Sequence, residues 1–329
     1  MNVIFDALSR PRMNAYRRYF GVNLGDAQIY GCYLWNEALC QSFFRTLTLI
    51  EIVLRNRLHD SLSNQYYPYP KIVVNNRKHK PWTSNPTTTF GTQDSCNWYE
   101  TPNLLNSKSL EKITDVTHHY RNGTPLTGQA KPTPDDVVST MQFGFWSSLI
   151  DKNPNIGWSA ILGQVFPKHR ATASNQWAAK AQQERLSNRL ELLRTIRNRI
   201  AHHEPIWKLP PTLDETPVPK GQPRIILHPA PMNPSESITR LREIYSKHIE
   251  FLRWMSPDLF LDFQKSSIHS HFLWLCSNEG LDAYKNREEK MSNTQCHSKV
   301  RRQLTSIIRS KQSVVVSRNG LNVLALHPI

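Results

Sequence analysis

The segment from Leu34 to Ser63 constrains the fold of this 329-residue chain more than any other. Its sequence, LWNEALCQSFFRTLTLIEIVLRNRLHDSLS, contains neither glycine nor proline. Apolar residues recur at steps of three or four, which places them in one stripe along a helix. The members of the stripe are Phe43, Leu47, Ile50, Leu54, Leu58 and Leu62. The segment predicts a long, core-forming helix or a closely joined pair of helices.

Further helices are predicted along the chain. SNQWAAKAQQERLSNRLELLRTIRNRIAHHEP is a second long helical segment, and Pro205 should end it because the residue before a proline is driven out of the helical region. SITRLREIYSKHIEFLRWMSPDLF is a third. A helix is also predicted near residue 107, with Ser107 or Ser109 as its N-cap. Between Thr133 and Ile150, Gly144 indicates close helix packing or a kink.

The remaining segments are irregular. Prolines, asparagines and threonines predict insertions at about residues 64–106 and 209–235, with short strands at KIVV and RIIL. Near the C-terminus, QSVVVSRNGLNVLAL predicts a hairpin that turns at Asn319-Gly320. We therefore predict a mainly α fold, with a helical domain over residues 1–258. Residues 259–329 would form a basic extension that carries a small α/β-hairpin appendage.

The charge of the chain favours polyanionic partners. It has 41 Lys and Arg against 26 Asp and Glu, a formal net charge of +15, and lysines or arginines that neutralise phosphates release counterions. The five cysteines are scattered, which argues against a disulfide framework. The N-terminal residues do not form a secretory signal, and the most apolar run, TLTLIEIVL, is too short to span a bilayer. We expect a cytoplasmic protein without a membrane partner.

Titratable and cationic residues are concentrated in RNRIAHHEP, from Arg197 to Pro205. On an ideal helix Arg197 and His202 lie about 140° apart. A loosened last turn could point His202 and His203 back towards Arg197. Alternatively, a second copy of the chain could bring its His202 to Arg197 across a two-fold axis. Either arrangement gives a cluster of cations and imidazoles beside one acid, Glu204.

Such a cluster suits a phosphodiester. An arginine fork matches two phosphate oxygens, and an imidazole can take the proton of a ribose 2′-hydroxyl or protonate the leaving oxygen. The cluster lacks the grouped carboxylates that a hard cation requires. The alternative interpretation is structural: Arg and His in a last turn can satisfy free carbonyls and the helix dipole without catalysis. The residues alone leave both interpretations open.

A similar motif, RNRLH, occurs at residues 55–59. Arg55 and His59 share one helical face, which favours a structural helix end or an RNA-contacting ridge over a second active site. The candidate RNA contacts are Arg55, Arg57, His59, Arg194, Arg301 and Arg302. The histidine pairs at 118–119 and at 269 and 271 have no third or fourth ligand nearby. We therefore predict no metal site.

The whole pattern resembles a known family. RNRIAHHEP is similar to the R-N-x-x-x-H motif of the HEPN superfamily of metal-independent ribonucleases. More closely, the chain resembles the Abi-like proteins of bacterial phage abortive infection. The similar stretches, in the family's order, are LSRPRMNAY, LWNEALCQSFFRTLTLIEIVLRNRLH, VVSTMQFGFWSSLI, LRTIRNRIAHHEPIW and IEFLRWMSPDL. They cover roughly three-quarters of the chain, from about residue 8 to 259; the last seventy residues or so show no such similarity.

The resemblance implies a HEPN-type helical bundle that pairs two copies, so that both motifs face one cleft. Arg197 and His202 would be the catalytic pair, Asn198 would orient the site, and His203 and Glu204 would support it. No cofactor is implied. RNA would be cleaved by attack of the 2′-hydroxyl, leaving a 2′,3′-cyclic phosphate.

Two functions remain open at this point. The first is a homodimeric endoribonuclease that acts as a toxin or anti-phage effector, with an antitoxin or an inhibitory RNA as a candidate partner. Its substrate would be tRNA, mRNA or a small noncoding RNA. The second is a non-catalytic RNA-binding module, or a scaffold for a small structured RNA, because the basic charge serves binding equally well.

Overall fold

The computed structural model of the chain describes residues 2–74, 84–117, 120–121, 124–125, 132–171, 174–219, 221–287, 295–310, 314–318 and 321–326. The helices up to the candidate site are α1 Asn2–Ala7, α2 Arg10–Phe20, α3 Asp26–Tyr66, α4 Ser107–Thr117, α5 Pro134–Thr140, α6 Phe143–Lys152, α7 Trp158–Val165, α8 Ser174–Ala178 and α9 Lys180–Ala201. They are followed by α10 Pro234–Met255, α11 Pro257–Gln264, α12 Ser267–Leu275, α13 Asn278–Lys285 and α14 His297–Ser310.

The strands are short. They are β1 Lys71–Val74, β2 Ser84–Thr87, β3 Tyr120–Arg121, β4 Thr124–Pro125, β5 Thr212–Leu213, β6 Ile226–His228, β7 Gln295–Cys296, β8 Val314–Arg318 and β9 Leu321–Leu326. The first six form three antiparallel pairs in chain order, and β7, β8 and β9 form a three-stranded sheet. The prediction of a mainly α fold with a small C-terminal hairpin is confirmed.

Helix α3 is the centre of the fold. It is one continuous helix of 41 residues, about 60 Å long, and it extends beyond both ends of the predicted segment. All six members of its apolar stripe are buried. Helices α2, α7, α9, α10, α12 and α13 pack against it. These contacts bring segments from both ends of the chain into one core.

The segment from Thr133 to Lys152 forms two helices. Thr133 begins α5 with a capping box: its hydroxyl accepts the amide of Asp136, whose carboxylate accepts the amide of Thr133. The helical conformation then breaks at Met141-Gln142, before α6 begins. A Cβ at Gly144 would meet nothing within 4 Å. The predicted close packing at Gly144 is therefore wrong, and the break lies before this glycine.

Two predicted helix boundaries also differ from the structure. The Asn106 side chain accepts the amide of Ser109 at 2.9 Å, so Asn106, rather than Ser107 or Ser109, caps α4. Helix α9 ends at Ala201, before Pro205. A hydrogen-bonded turn ends this helix, and Pro205 follows that turn. The strand at KIVV forms as predicted, whereas the RIIL strand is displaced to Ile226–His228.

The core extends beyond residue 258, the boundary expected from the sequence. The indole N–H of Trp35 donates to the carbonyl of Leu275 at 2.7 Å, and Phe272, Leu275 and Leu281 belong to the main core. A second, smaller cluster contains Val300, Ile307, Val314 and Val316. Helix α14 and strand β8 contribute these four residues. Strands β8 and β9 pair as the predicted hairpin.

Three buried histidines stay neutral in the folded chain. Burial lowers the pKa of His248 to about 3 and that of His169 to about 4, and it also lowers the pKa of His59. The Nδ1 atom of His248 lies 2.7 Å from the carbonyl of Ile244. Because a carbonyl can only accept, Nδ1 carries the hydrogen.

We expect the free energy of unfolding to fall as the pH drops below about 6.5. The unfolded chain then binds protons on these histidines that the folded chain excludes. Between pH 6.5 and 5 each of His169 and His248 should contribute a loss of about 1 to 2 kcal/mol. Urea unfolding at pH 7, 6 and 5 measures the slope. His248→Asn keeps a hydrogen-bond donor and should make the free energy of unfolding depend less steeply on pH. Equal stability of the native chain at pH 7 and 5 would contradict the prediction.

A second prediction concerns Gly31. A Cβ at this position would lie 2.2 Å from the backbone carbonyl oxygen of Tyr284, which forces α3 and α13 apart. Gly31→Ala should lower the free energy of unfolding by about 1–3 kcal/mol. Gly144→Ala is the matched control, because its Cβ meets open space and alanine favours a helix by up to about 1 kcal/mol. Chemical denaturation compares the two variants, and equal effects would refute the close contact.

Candidate functional site

Helix α9 ends in a Schellman turn at the candidate site. The amide of His203 donates to the carbonyl of Ile200 at 3.0 Å, and the amide of Glu204 donates to the carbonyl of Arg199 at 2.8 Å. This pair of bonds defines the motif, and glycine usually occupies its left-handed position. Here His203 occupies that position, with φ of 55°. The left-handed conformation costs a residue with a Cβ about 1–2 kcal/mol.

The segment after the turn is fixed in the core. The amide of Ile206 donates to the Asn36 side chain at 3.0 Å, and Ser237 donates to the carbonyl of Trp207 at 2.8 Å. Trp207 also stacks on Tyr19, with ring centroids 4.3 Å apart. The turn is therefore held between α9 and the anchored segment that contains Ile206 and Trp207. Asn36 was not among the residues predicted for the site, although an amide inside an apolar helical segment is a signal for such a role.

Arg199 closes the turn from the side. Its guanidinium donates to the carbonyl of Pro205 at 2.9 Å and lies 3.4 Å from the carboxylate of Glu204. Glu204, predicted as a supporting residue, thus pairs with an arginine of the turn. These contacts match the structural interpretation of the motif for Arg199 and Glu204. The side chains of Arg197, His202 and His203 take no part in these contacts.

Arg197 and Arg194 are the cations that the turn does not use. Among the described residues, neither guanidinium has a hydrogen-bond or ion-pair partner. The Nε of Arg197 is buried without a partner, and the residue as a whole is half-buried. On an ideal helix the two arginines lie about 60° apart. Two neighbouring guanidinium groups on one side of α9 are thus free to bind an anion.

The structure does not join Arg197 to His202 within one chain. No hydrogen bond links the two side chains, both of which are described. The amide of His202 donates to the carbonyl of Asn198 at 2.9 Å, so the last turn of α9 is not loosened. His202, His203 and Asn198 have exposed side chains. Arg197 and His202 therefore flank the helix end from different sides.

The RNRLH motif at residues 55–59 places its histidine in the interior of the fold. His59 is 3% exposed, and α3 continues to Tyr66, so the motif is not a helix end. The indole N–H of Trp98 donates to Nδ1 of His59 at 2.9 Å. Nε2 lies 3.0 Å from the Ser95 hydroxyl, which in turn donates to Asp135 at 2.9 Å.

The three residue types are those of a Ser-His-Asp triad, but here the serine hydroxyl links the histidine to the aspartate, and the protons are placed differently. An indole N–H can only donate, so Nδ1 of His59 is an acceptor and Nε2 carries the hydrogen of the neutral ring. Nε2 then donates to Ser95 and cannot accept the serine proton. Burial also lowers the pKa of His59, against the opposing effect of Asp135. The network therefore joins α3 to the loop before α4 and to α5.

The other candidate RNA contacts are distributed over the surface. Arg55 donates to the carbonyl of Ser139 at 3.1 Å, which fixes α3 to the end of α5. Arg57 is half-buried and has no hydrogen-bond or ion-pair partner among the described residues. Arg301 and Arg302 are exposed on α14, where Arg302 donates to the carbonyl of Ser298 at 3.3 Å.

The described residues include no group of three or more His, Cys, Asp or Glu side chains that could hold a metal ion. His269 instead shares a hydrogen bond of 3.1 Å with the Tyr245 hydroxyl. The pair at 118–119 lies outside the described residues. In the described part of the chain, no helix has both the length and the apolar character that a membrane span requires.

These features define a mainly α protein whose second long helix ends in a strained, cationic turn. The family model described as "Abi-like protein" matches residues 6–208, from α1 through the anchored segment after the turn. The chain belongs to the Abi-like family, and this membership suggests a function in phage abortive infection. No curated protein and no solved structure matches the chain.

The strain at His203 can be tested directly. His203→Gly should raise the free energy of unfolding by about 1 kcal/mol, because glycine adopts the left-handed conformation without a Cβ penalty. His203→Ala removes the imidazole but keeps a Cβ, and it should leave stability nearly unchanged. Urea denaturation of both variants makes the comparison. A glycine variant less stable than the alanine variant would show that His203 is not strained.

Proposed function

We propose that this chain is a metal-independent endoribonuclease of the HEPN type that acts in anti-phage defence. The observation that supports this most is the chemistry left free at the end of α9. Arg197 has no partner among the described residues, while Arg199 and Glu204 fix a turn that exposes His202. A turn that served only to end the helix would not require a free guanidinium and an exposed imidazole beside it.

Arg197 would bind the scissile phosphate. Its guanidinium can donate two hydrogen bonds to non-bridging oxygens and stabilise the charge that builds up on them in the transition state. Glu204 does not compete for this guanidinium, because it pairs with Arg199. The neighbouring Arg194 is free to neutralise an adjacent phosphate of the same strand. Asn198, exposed one turn before His202, would orient the substrate.

His202 would transfer the protons. The imidazole accepts the proton of the ribose 2′-hydroxyl as that oxygen attacks phosphorus, and the bond to the 5′-oxygen of the next nucleotide breaks. The leaving oxygen takes a proton from a second imidazole in its protonated form. The products are a 2′,3′-cyclic phosphate and a 5′-hydroxyl end. No step is assigned to a metal ion.

The second imidazole implies a second copy of the chain. Within one copy Arg197 and His202 are not hydrogen-bonded and lie about 140° apart around α9. A two-fold axis beside the end of α9 would place the Arg197 of each copy opposite the His202 of the other. A homodimer would therefore supply a general base and a general acid to one cleft.

Variants of the motif test the activity. In excess EDTA, native protein should cleave RNA and leave cyclic-phosphate ends. Arg197→Ala and His202→Ala should each lower the rate by about 10²–10⁴-fold without changing the unfolding transition. Lys180→Ala, at an exposed position at the start of the same helix, controls for the effect of a substitution on α9 outside the motif and should leave the rate unchanged. Full activity of either motif variant would exclude this site.

Mixing the two inactive variants tests the shared cleft. A heterodimer of Arg197→Ala and His202→Ala chains retains one arginine and one histidine in the cleft, contributed by different copies. We expect it to regain part of the cleavage activity, whereas each variant alone stays inactive. No recovery, with heterodimers demonstrated by mass spectrometry, would show that the arginine and histidine do not act across copies.

A non-catalytic RNA-binding module is the second candidate, and the unpaired arginines on α9 together with the +15 charge favour it equally. It predicts intact RNA that remains bound, with an affinity that falls steeply as salt rises. His202→Ala would then leave the affinity nearly unchanged, and Arg197→Ala would weaken it.

A further inference from the structure

A second cationic site lies near the other end of α9. The turn after α7 contributes Lys168, His169 and Arg170, the beginning of α9 contributes Arg185, and the end of α10 contributes Arg253. Together they line a cavity of about 520 Å³. Arg185 and His202 are separated by about 26 Å along α9. The cavity is therefore separate from the proposed RNA-cleaving site.

The floor of the cavity is formed by Arg189, whose charge is already neutralised by carboxylates of the fold. Arg189 is 5% exposed, and its guanidinium lies 4.6 Å from the ring centre of Trp254. It donates to Glu215 at 2.7 and 3.0 Å and to Glu250 at 3.0 Å. Glu215 also anchors the proline-rich segment, because its backbone carbonyl accepts Asn188 at 2.9 Å. These pairs fix the shape of the cavity.

The walls, in contrast, carry cations that no described residue neutralises. Among the described residues, Lys168, Arg170 and Arg185 have no ion-pair or hydrogen-bond partner for their side chains. The Nε of Arg185 is buried and unsatisfied, which is unfavourable unless a ligand accepts its hydrogen. These three residues come from two separate segments of the chain, so their convergence is a product of the fold.

The charge balance of the lining defines the ligand. Five cations line the cavity, Lys168, Arg170, Arg185, Arg189 and Arg253, together with three carboxylates, Asp214, Glu215 and Glu250. The lining therefore has two more positive than negative groups, and His169 adds no charge at neutral pH because burial lowers its pKa to about 4. A phosphate monoester carries about −1.5 to −2 charges.

We propose that this cavity binds a terminal phosphate group, carried either by a free nucleotide or by the 5′ end of an RNA. Arg185 would donate its Nε and one terminal nitrogen to the phosphate, and Lys168 and Arg170 would neutralise it from the opposite wall. The carboxylate of Glu250, held by Arg189 and 3.7 Å from Arg253, would keep the ligand at the mouth. The assignment does not depend on RNA cleavage by Arg197 and His202.

Two matched pairs of probes separate the phosphate sources. AMP is compared with adenosine. A short 2′-O-methyl RNA with a 5′-phosphate is compared with the same RNA with a 5′-hydroxyl, because neither can be cleaved through a 2′-hydroxyl. Calorimetric titration of the native chain should give at least about tenfold tighter binding for the phosphate-bearing member of one pair or both, the effect of one charge-assisted hydrogen bond. Preference in the first pair alone identifies a nucleotide, and in the second alone an RNA end.

Three variants locate the binding. Arg185→Ala and Arg170→Ala should each remove the preference for phosphate, and Arg170 is exposed, so its replacement does not affect the core. Lys180→Ala, on the same helix but outside the cavity, should retain the preference. The proposal is overturned if the native chain does not distinguish either pair, or if both arginine variants distinguish them as the native chain does. Retained RNA cleavage in Arg185→Ala would separate the two sites.

Discussion

Side chains on successive turns of α3 are buried against helices from both ends of the chain, and the other elements take their positions from this packing. Helix α2, from the N-terminal part of the chain, packs on α3, and so do α12 and α13 from the C-terminal part. The same helix holds the end of α9, because Asn36 accepts the amide of Ile206 inside the core. The candidate site is therefore a surface feature whose geometry is set by the interior of the fold.

Helix α9 uses its arginines in two different ways. Arg189 and Arg199 donate hydrogen bonds to carboxylates and backbone carbonyls, and each fixes a segment of chain against the helix. Arg185, Arg194 and Arg197 have no partner among the described residues. A guanidinium that the fold does not neutralise attracts anions from solution. The unpaired arginines near the two ends of α9 are the basis of the two separate phosphate sites that we propose.

The sequence predicted those features that local pattern determines. The apolar stripe predicted α3, KIVV predicted β1, and Asn319-Gly320 predicted the hairpin of β8 and β9, because each depends on nearby residues. It did not predict the break at Met141-Gln142 or the Schellman turn with a histidine in the position of a glycine, since tertiary contacts override local preference there. The motif itself was visible in the sequence. Which of its arginines is free was not, because the partner of Arg199 lies beyond the helix, in the turn that follows it.

The small second core has a consequence for how the molecule moves. Four described apolar residues form it, far fewer than in the core around α3, and so few contacts give a unit little stability of its own. Helix α14 and its hairpin should therefore open many times for each global unfolding event. Their amide hydrogens would exchange with solvent long before those of α3, and the chain would spend part of its time with α14 detached from its sheet.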